Sequence, residues 1–253
     1  MRPVDAVITK FVDETPSTRT IFFDTFFEQV PGQFVMVWVR GVDEIPMALS
    51  YENAITVHKA GEATSALFEL DECDSIGIRG PFGNGFGISG KNILLISGGV
   101  GAAPLAPLAE RAASSGISVT TMLGAIKKDE LLFGKRFETA GKVLIATDDG
   151  SEGRKGYVTD LLDDNDVDAD RFDSIYCCGP EPMMKKVLDS SIIPEKVQFS
   201  LHRYFKCGIG VCGACCIDGL RVCKDGPVFR GDVLKDTEFG KFKRDGCGCK
   251  VKV

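Results

Sequence analysis

The chain of 253 residues holds ten cysteines and only two histidines, His58 and His202. Any metal it binds must therefore lean on thiolates, because a histidine-rich site cannot be assembled. Cys207, Cys212 and Cys215 stand in a C-x4-C-x2-C spacing. That is the spacing of plant-type 2Fe–2S sites, in which four thiolates converge on two irons. The long first gap carries Gly208 and Gly210, which let the backbone wrap round an inorganic core and bring amide N–H groups to the sulfurs. The fourth ligand has to return from further along, and Cys223 has a route. Between Cys216 and Cys223 lies Asp218-Gly219, a strong two-residue hairpin signal. Pairing Ile217 with Leu220 would bring Cys223 opposite Ala214, next to Cys215. Cys216 is set aside, since a residue directly after Cys215 in an extended segment points to the other face. A structural zinc site usually shows two Cys-x2-Cys knuckles and this chain has one; zinc and ordinary free thiols are the competing readings. Cys247 and Cys249, one residue apart near the end of the chain, read as free thiols on a tail.

Two further turns carry chemistry. SGGVGAAP, residues 97–104, follows a short apolar run and opens an alanine- and leucine-rich helical segment. Gly98, Gly99 and Gly101 allow a pyrophosphate to approach the backbone, and the helix start offers free N–H groups and a favourable dipole. Pro104 suits the first helical turn, where no N–H is missed. CCGPEPM, residues 177–183, ends a later strand and precedes another helix. That places Cys178, Gly179, Pro180 and Met183 at the carboxyl edge of a sheet, where α/β proteins bind ligands. The segment Gly61-Glu62-Ala63-Thr64 offers a second phosphate site by the same logic; a capping Thr64 is the competing reading. Asp148 and Asp149 suit a ribose hydrogen bond or an Asx turn. Lys127 and Lys128 would serve a 2′-phosphate, so NAD and NADP stay open on residues alone.

These residues need three kinds of scaffold. Residues 1–90 contain β-branched and aromatic runs at 4–12, 19–27, 33–39 and 54–61, separated by turns, which predicts an antiparallel barrel. A helix is expected at 65–70, and residues 80–86 read as a hinge turn. Residues 91–195 alternate: strands at 91–97, 118–125, 142–146 and 174–178, helices at 104–114, 129–139, 158–162 and 182–190. That is a βαβ pattern with a parallel sheet. The Asp-rich stretch 160–173 reads as a solvated loop. Residues 196–253 hold seven cysteines and Gly-rich turns, a small domain stapled by its metal centre rather than by a core. The fold class is thus multidomain, α/β plus β, divided as 1–90, 91–195 and 196–253.

Apolar residues make up 44% and charged residues 26%, ordinary globular values that exclude disordered and collagen-like chains. No apolar run is long enough for a membrane span. The start MRPVDAVITKFVDE lacks a basic region followed by an apolar core, so no secretory leader is expected and the setting is cytoplasmic. Net charge is −6, spread unevenly: residues 196–253 carry twelve Lys/Arg against six Asp/Glu, +6, and the remainder −12. The acidic bulk speaks against nucleic acid; the basic end suits an acidic protein partner, with a solvated lysine-rich surface as the competing reading.

With barrel, GGVGAAP and CGPEPM turns and C-terminal C-x4-C-x2-C in this order, the chain resembles the ferredoxin reductase superfamily. Within it, KCGIGVCGACCIDGLRVCKDGPVF, residues 206–229, is similar to the electron-transfer subunits of dihydroorotate dehydrogenases, whose cluster segment ends in CKDGPVF. The resemblance implies FAD on the barrel, NAD on the sheet, and a 2Fe–2S cluster held by Cys207, Cys212, Cys215 and Cys223. It places FAD contacts at Pro46, Met47, Ser50, His58, Lys59, Ala63 and Thr64, and nicotinamide-nucleotide contacts at Gly98, Gly99, Gly101, Cys178, Gly179, Pro180 and Met183. It departs from the family in the flavin motif, usually Arg-Pro-x-Ser and here Ile45-Pro46-Met47-Ala48, with Ser50 two residues later; Ala63 stands for the usual Gly. The resemblance implies no acid–base residue on this chain and an FMN-containing catalytic partner that oxidises dihydroorotate in pyrimidine biosynthesis, two chains of each kind per assembly. Alternatives are a related module serving a hydrogenase, sulfide dehydrogenase or glutamate synthase-like enzyme, or a redox- or metal-sensing binding module.

Overall fold

The computed structural model describes residues 2–163 and 167–253. Its first part is a closed antiparallel barrel of β1 (Val4–Thr15), β2 (Thr18–Phe23), β3 (Phe34–Val39), β4 (Asp43–Tyr51), β5 (Ala54–His58) and β6 (Ser75–Phe82), in the order β1-β2-β5-β4-β3-β6. Alternation places Val35, Val37 and Val39 in the barrel core with Ile21, Ile55, Ile76 and Ile78. The intervening Phe34 and Met36 join the core of the rest of the molecule. Two strands had no sequence signal. β4 runs DEIPMALSY with no buried–exposed alternation, and β6 holds two glycines and a proline; both are strands because barrel closure pairs them on either side of β3. β6 therefore runs into the segment expected to be a hinge.

The first helix, α1 (Glu62–Phe68), starts three residues before the expected one. Its N-cap is Gly61, not Thr64. The Thr64 hydroxyl instead accepts the backbone N–H groups of Ala60 and Gly61 (2.9 and 2.8 Å) from inside the first turn.

The second part is a seven-stranded sheet. It contains β7 (Asn92–Gly98), β8 (Ser118–Ala125), β9 (Lys142–Thr147), β10 (Arg154–Lys155), β11 (Ser174–Cys178) and β12 (Val197–Ser200), all parallel. Between them lie α2 (Ala102–Ser114), α3 (Gly134–Ala140), α4 (Asp160–Asp163) and α5 (Glu181–Leu188). The chain then forms a hairpin of β13 (Cys216–Ile217) and β14 (Leu220–Arg221), then α6 (Val222–Asp225). It returns as β15 (Val228–Arg230), antiparallel to β12 at the sheet edge, and ends with α7 (Gly231–Leu234), β16 (Phe242–Arg244) and β17 (Lys250–Lys252). The order is β10-β9-β8-β7-β11-β12-β15.

Both faces are covered, as a parallel sheet requires. Ile93 and Leu95 pack with α2 and α3 on one face; Leu94 and Ile96 pack with α5 and α7 on the other. The helix expected at 129–139 is split. A 3-10 turn at Lys128–Glu130 gives way to Phe133 in a left-handed conformation, which buries Leu132 and Phe133 before α3 begins. The Asp-rich stretch is no plain loop where it is described. Asp168 caps a 3-10 turn, and Asp173 accepts the N–H groups of Lys91 and Asn92; residues 164–166 lie outside the described residues.

Residues 201–227 leave the sheet after β12 and return at β15. This excursion carries the four candidate ligands. It is not held by a metal centre alone: Cys215, Ile217, Val222 and Cys223 share one buried core with Leu94, Ile96 and Ile175 of the sheet.

Candidate functional site

The cysteine loop turns on Gly208, Gly210 and Gly213, all at positive φ. A Cβ on Gly208 would come within 2.8 Å of the Met36 side chain, and one on Gly210 within 2.6 Å of Lys224. The loop is therefore drawn tight between the barrel and α6. Backbone N–H groups point at sulfur as the spacing predicts: Gly210 donates to Cys223 Sγ (3.1 Å), Val211 to Cys207 Sγ (3.4 Å) and Cys223 to Cys215 Sγ (3.4 Å).

The four thiols fall into two neighbouring pairs, Cys207 with Cys212 and Cys215 with Cys223, the second joined by the Cys223 N–H on Cys215 Sγ. Two pairs suit two irons, each taking two thiolates. A single zinc would draw all four sulfurs to about 2.3 Å of one point. Burial raises the Cys207 thiol, but N–H groups of Cys212, Ile209 and Val211 outweigh it and bring it down to about 6. Burial and then the Cys215 thiol push Cys223 up to about 12, against the N–H of Gly210. The loop readies the Cys207 thiolate, whereas Cys223 needs the charge of a bound metal to lose its proton.

The hairpin forms as predicted, with Ile217 opposite Leu220 and both Asp218 and Gly219 at positive φ. Pairing stops at Cys216 and Arg221, however. The chain does not continue extended to set Cys223 opposite Ala214; α6 turns it back onto Cys215 instead. Cys216 belongs to neither pair.

Around the loop stand residues that carried no sequence signal. Arg79 makes a bidentate pair with Glu44 (2.6 and 2.6 Å) and donates to the Cys207 carbonyl (3.4 Å). Phe205 packs against Phe34 of the barrel at 4.8 Å. Arg203, in the segment leading from β12 to the loop, forms a buried ion pair with Glu181 of the CGPEPM turn, and Glu181 also accepts the N–H of Gly240 (2.7 Å). Glu181 was visible as part of a motif; its partner was not.

The nucleotide edge is built at the carboxyl ends of β7 and β11. From β7 the chain crosses to β8 on one side, and from β11 to β12 on the other, so this is the topological switch point of the sheet. The two motif turns pack directly on each other. A Cβ on Gly101 would lie 2.2 Å from the Cys178 carbonyl oxygen, one on Gly98 2.6 Å from Met183 Sδ, and one on Gly179 2.6 Å from Met183 Cε. Gly98, Gly101 and Gly179 thus allow the close contact between the turns. Only Gly99, at φ +52° with nothing within 4 Å, opens outward. Beside it the hydroxyl of Ser97 is fully buried without a partner. Pro104 sits in the first turn of α2, as expected. Burial pushes the Cys178 thiol up to about 12, with the Ser200 hydroxyl acting against it, so it stays protonated at neutral pH.

At the barrel edge, α1 packs on β3, β4 and β5. That gathers Pro46 and Met47, half-buried on β4, with His58, exposed at the end of β5, Lys59, exposed just after it, and Thr64. His58 Nδ1 lies 3.3 Å from the Thr18 hydroxyl, and the Lys59 ammonium sits over the Phe68 ring. Two predicted contacts turn inward. Ala63 is buried, and Ser50 is fully buried with its hydroxyl engaged by Thr56 (2.7 Å) and the Ala54 carbonyl (3.4 Å). Ile45 and Ala48 add no polar group, and Thr64 is committed to its own turn. A flavin would thus meet an apolar β4 and find its polar contacts at His58, Lys59 and the open backbone at Gly61.

Barrel and sheet are latched at two points. Arg136 of α3 lies between the rings of Tyr51 and Phe133 (4.0 and 4.5 Å) and donates to the Ser50 carbonyl (3.0 Å). Glu130 accepts from Thr15 and Ser17 (3.0 and 2.6 Å). These contacts fix the barrel against the sheet part of the chain.

Such a barrel, switch-point turn and paired-thiol loop define an iron–sulfur oxidoreductase module of ferredoxin reductase-like fold. The model of the iron–sulfur cluster binding domain of dihydroorotate dehydrogenase B matches residues 202–235, and that of an oxidoreductase NAD-binding domain residues 95–189. Two relatives described as probable dihydroorotate dehydrogenase B (NAD(+)), electron transfer subunit, are similar throughout. One from Methanocella arvoryzae is 56% identical over 100% of both chains; one from Methanocaldococcus jannaschii is 48% identical over 99% of this chain and 98% of that one. The solved structure of NADH-dependent reduced ferredoxin-NADP oxidoreductase superposes with a TM-score of 0.80 at 32% identity, covering 92% of this chain and 90% of that one. The chain belongs to the family of dihydroorotate dehydrogenase B electron transfer subunits.

Proposed function

We propose that this chain passes electrons between a dihydroorotate dehydrogenase catalytic subunit and NAD, in pyrimidine biosynthesis. The observation that carries the reading is the pair of thiol pairs, Cys207/Cys212 and Cys215/Cys223, seated between the barrel and the sheet. Bound FAD and a 2Fe–2S cluster would supply the exchange between two-electron and one-electron transfer. The chain's own part is to hold and space them. The cysteine pairs bind the irons, and the N–H groups of Gly210 and Val211 steady the sulfurs. Gly99 and the start of α2 receive the nucleotide pyrophosphate, with Pro180 and Met183 bordering the nicotinamide. Pro46, Met47, His58 and Lys59 line the flavin edge. Residues 1–90, 91–195 and 196–253 divide these tasks, the sheet continuing into the last through β12 and β15. No helix among the described residues is long and apolar enough to cross a membrane, in keeping with a cytoplasmic setting.

Absorption and electron paramagnetic resonance spectra of anaerobically purified protein, before and after NADH, test this. Flavin bands should bleach and a rhombic signal of a reduced 2Fe–2S centre appear. A protein that stays colourless and silent after reconstitution with flavin, iron and sulfide would sink the reading.

The partner is an FMN-containing catalytic chain, in an assembly of two chains of each kind. The cysteine loop supports docking there: Ile209 and Val211 are 50% and 79% exposed beside Cys212, amid the basic Lys206, Arg221 and Lys224. Exposed apolar residues next to a redox centre mark a contact surface. Val211→Asp is expected to weaken co-purification of the catalytic chain by about tenfold, as loss of a central apolar contact does, with the flavin and cluster spectra retained. Likeness to the ferredoxin-NADP oxidoreductase favours the second reading, a module serving a different enzyme; identifying the chain that co-purifies separates the two.

A further inference from the structure

The loops after β8 and β9 bear on nucleotide choice. Gly98 stands opposite Gly124, and Gly124 opposite Ala146, so these loops flank the Gly99 turn on the side away from β11. With the pyrophosphate at Gly99 and the nicotinamide toward Met183, the adenosine extends over them. This rests on the nucleotide site proposed above.

Lys127 and Lys128, the cations that would hold a 2′-phosphate, are both countered. The Lys128 ammonium pairs with Glu152 at 2.9 Å, and its backbone N–H donates to the Ser151 hydroxyl (2.7 Å). Ser151 is held by Asp149, which accepts its N–H and hydroxyl (2.9 and 2.6 Å). Asp149 therefore serves an Asx turn rather than a ribose. Glu152 is held in turn: Thr147, fully buried, accepts the Glu152 N–H (3.0 Å) and donates to its carbonyl (2.8 Å). Lys127 lies beside Glu130, which is itself tied to the barrel. Together residues 127–130 and 148–152 carry two lysines and five acidic residues, a net −3.

We infer that Glu152 makes this chain select NAD(H) over NADP(H), by holding Lys128 and presenting its own carboxylate where a 2′-phosphate would sit. A phosphate monoester brings about −1.5 to −2 charges at neutral pH, and these loops repel it. A ribose 2′-hydroxyl instead finds acceptors, the role an acidic residue has at the strand ends of dinucleotide folds.

The test is the ratio of dissociation constants for NADPH and NADH, measured on the flavin- and cluster-loaded protein by nucleotide fluorescence. Glu152→Gln should lower that ratio by about tenfold, equivalent to 1.4 kcal/mol, and Glu152→Gln with Lys128→Ala should reverse the part of that change due to the freed Lys128. Glu152 and Lys128 are exposed, at 39% and 64% of their side chains, so folding is not at stake. Adenosine 2′-phosphate should compete better against the single variant than against wild type. An unchanged ratio with NADH still bound would overturn the inference and leave the nucleotide site standing. Failure of the wild type to bind NADH would overturn the site reading, and this one with it.

Discussion

Cys215→Ser is expected to remove the iron–sulfur signal while leaving the flavin bands and their bleaching by NADH in place. Cys215 is 2% exposed, pairs with Cys223 and receives the Cys223 N–H on its sulfur. Loss of an outer-shell partner alone costs about 10–100-fold in metal affinity, so loss of a ligand should take cluster iron below about a tenth of the wild-type content. Electron delivery to a one-electron acceptor should fall with it. Cys216→Ser is the matched control. It removes the neighbouring thiol, which belongs to neither pair, and should keep its iron. Iron and sulfide assays with paramagnetic resonance decide the matter. A Cys216 variant that loses the signal while the Cys215 variant keeps it would reverse the ligand assignment.

Arg203→Ala should have the largest effect on stability. The Arg203 and Glu181 side chains are only 3% and 10% exposed, joined by two charge-assisted hydrogen bonds. Removing one partner strands a buried charge, at a cost of about 3–5 kcal/mol. Replacing both with leucine removes the stranded charge and should recover much of the loss, because such pairs barely exceed apolar replacements. Urea unfolding of the single and double variants measures this. The pair ties the turn after β11 to the segment that leads into the cysteine loop. The single variant should therefore also loosen the cluster, seen as faster iron loss to a chelator. A single variant as stable as wild type would mean that the segment is held by other contacts.

Much of this protein is legible along the chain because its signals are short. Cys207, Cys212 and Cys215 lie within nine residues of one another, and Asp218-Gly219 sets its hairpin by backbone conformation alone. β7, β8 and β11 are short runs buried largely on both faces, and the glycines at 98, 99 and 101 mark a turn in any context. The cysteine spacing, the βαβ alternation and the GGVGAAP turn thus determined the redox class and the sheet.

What the tertiary structure alone decided involves partners far apart in sequence. β4 and β6 became strands through closure of the barrel, which pairs them with β3 although neither has a strand pattern of its own. Gly98, Gly101 and Gly179 proved to allow close contact between two turns separated by about eighty residues, while Gly99 opens outward. Cys223 reached Cys215 through a helical turn rather than an extended strand. Ser50, reasonable as a flavin contact by position, was drawn into the barrel by Thr56. Glu181 with Arg203, Arg136 with Tyr51, Glu130 with Ser17 and Lys128 with Glu152 are polar residues whose types announce nothing. Each acquires its role only when folding brings its partner into contact, and burial strengthens the Glu181–Arg203 pair in particular.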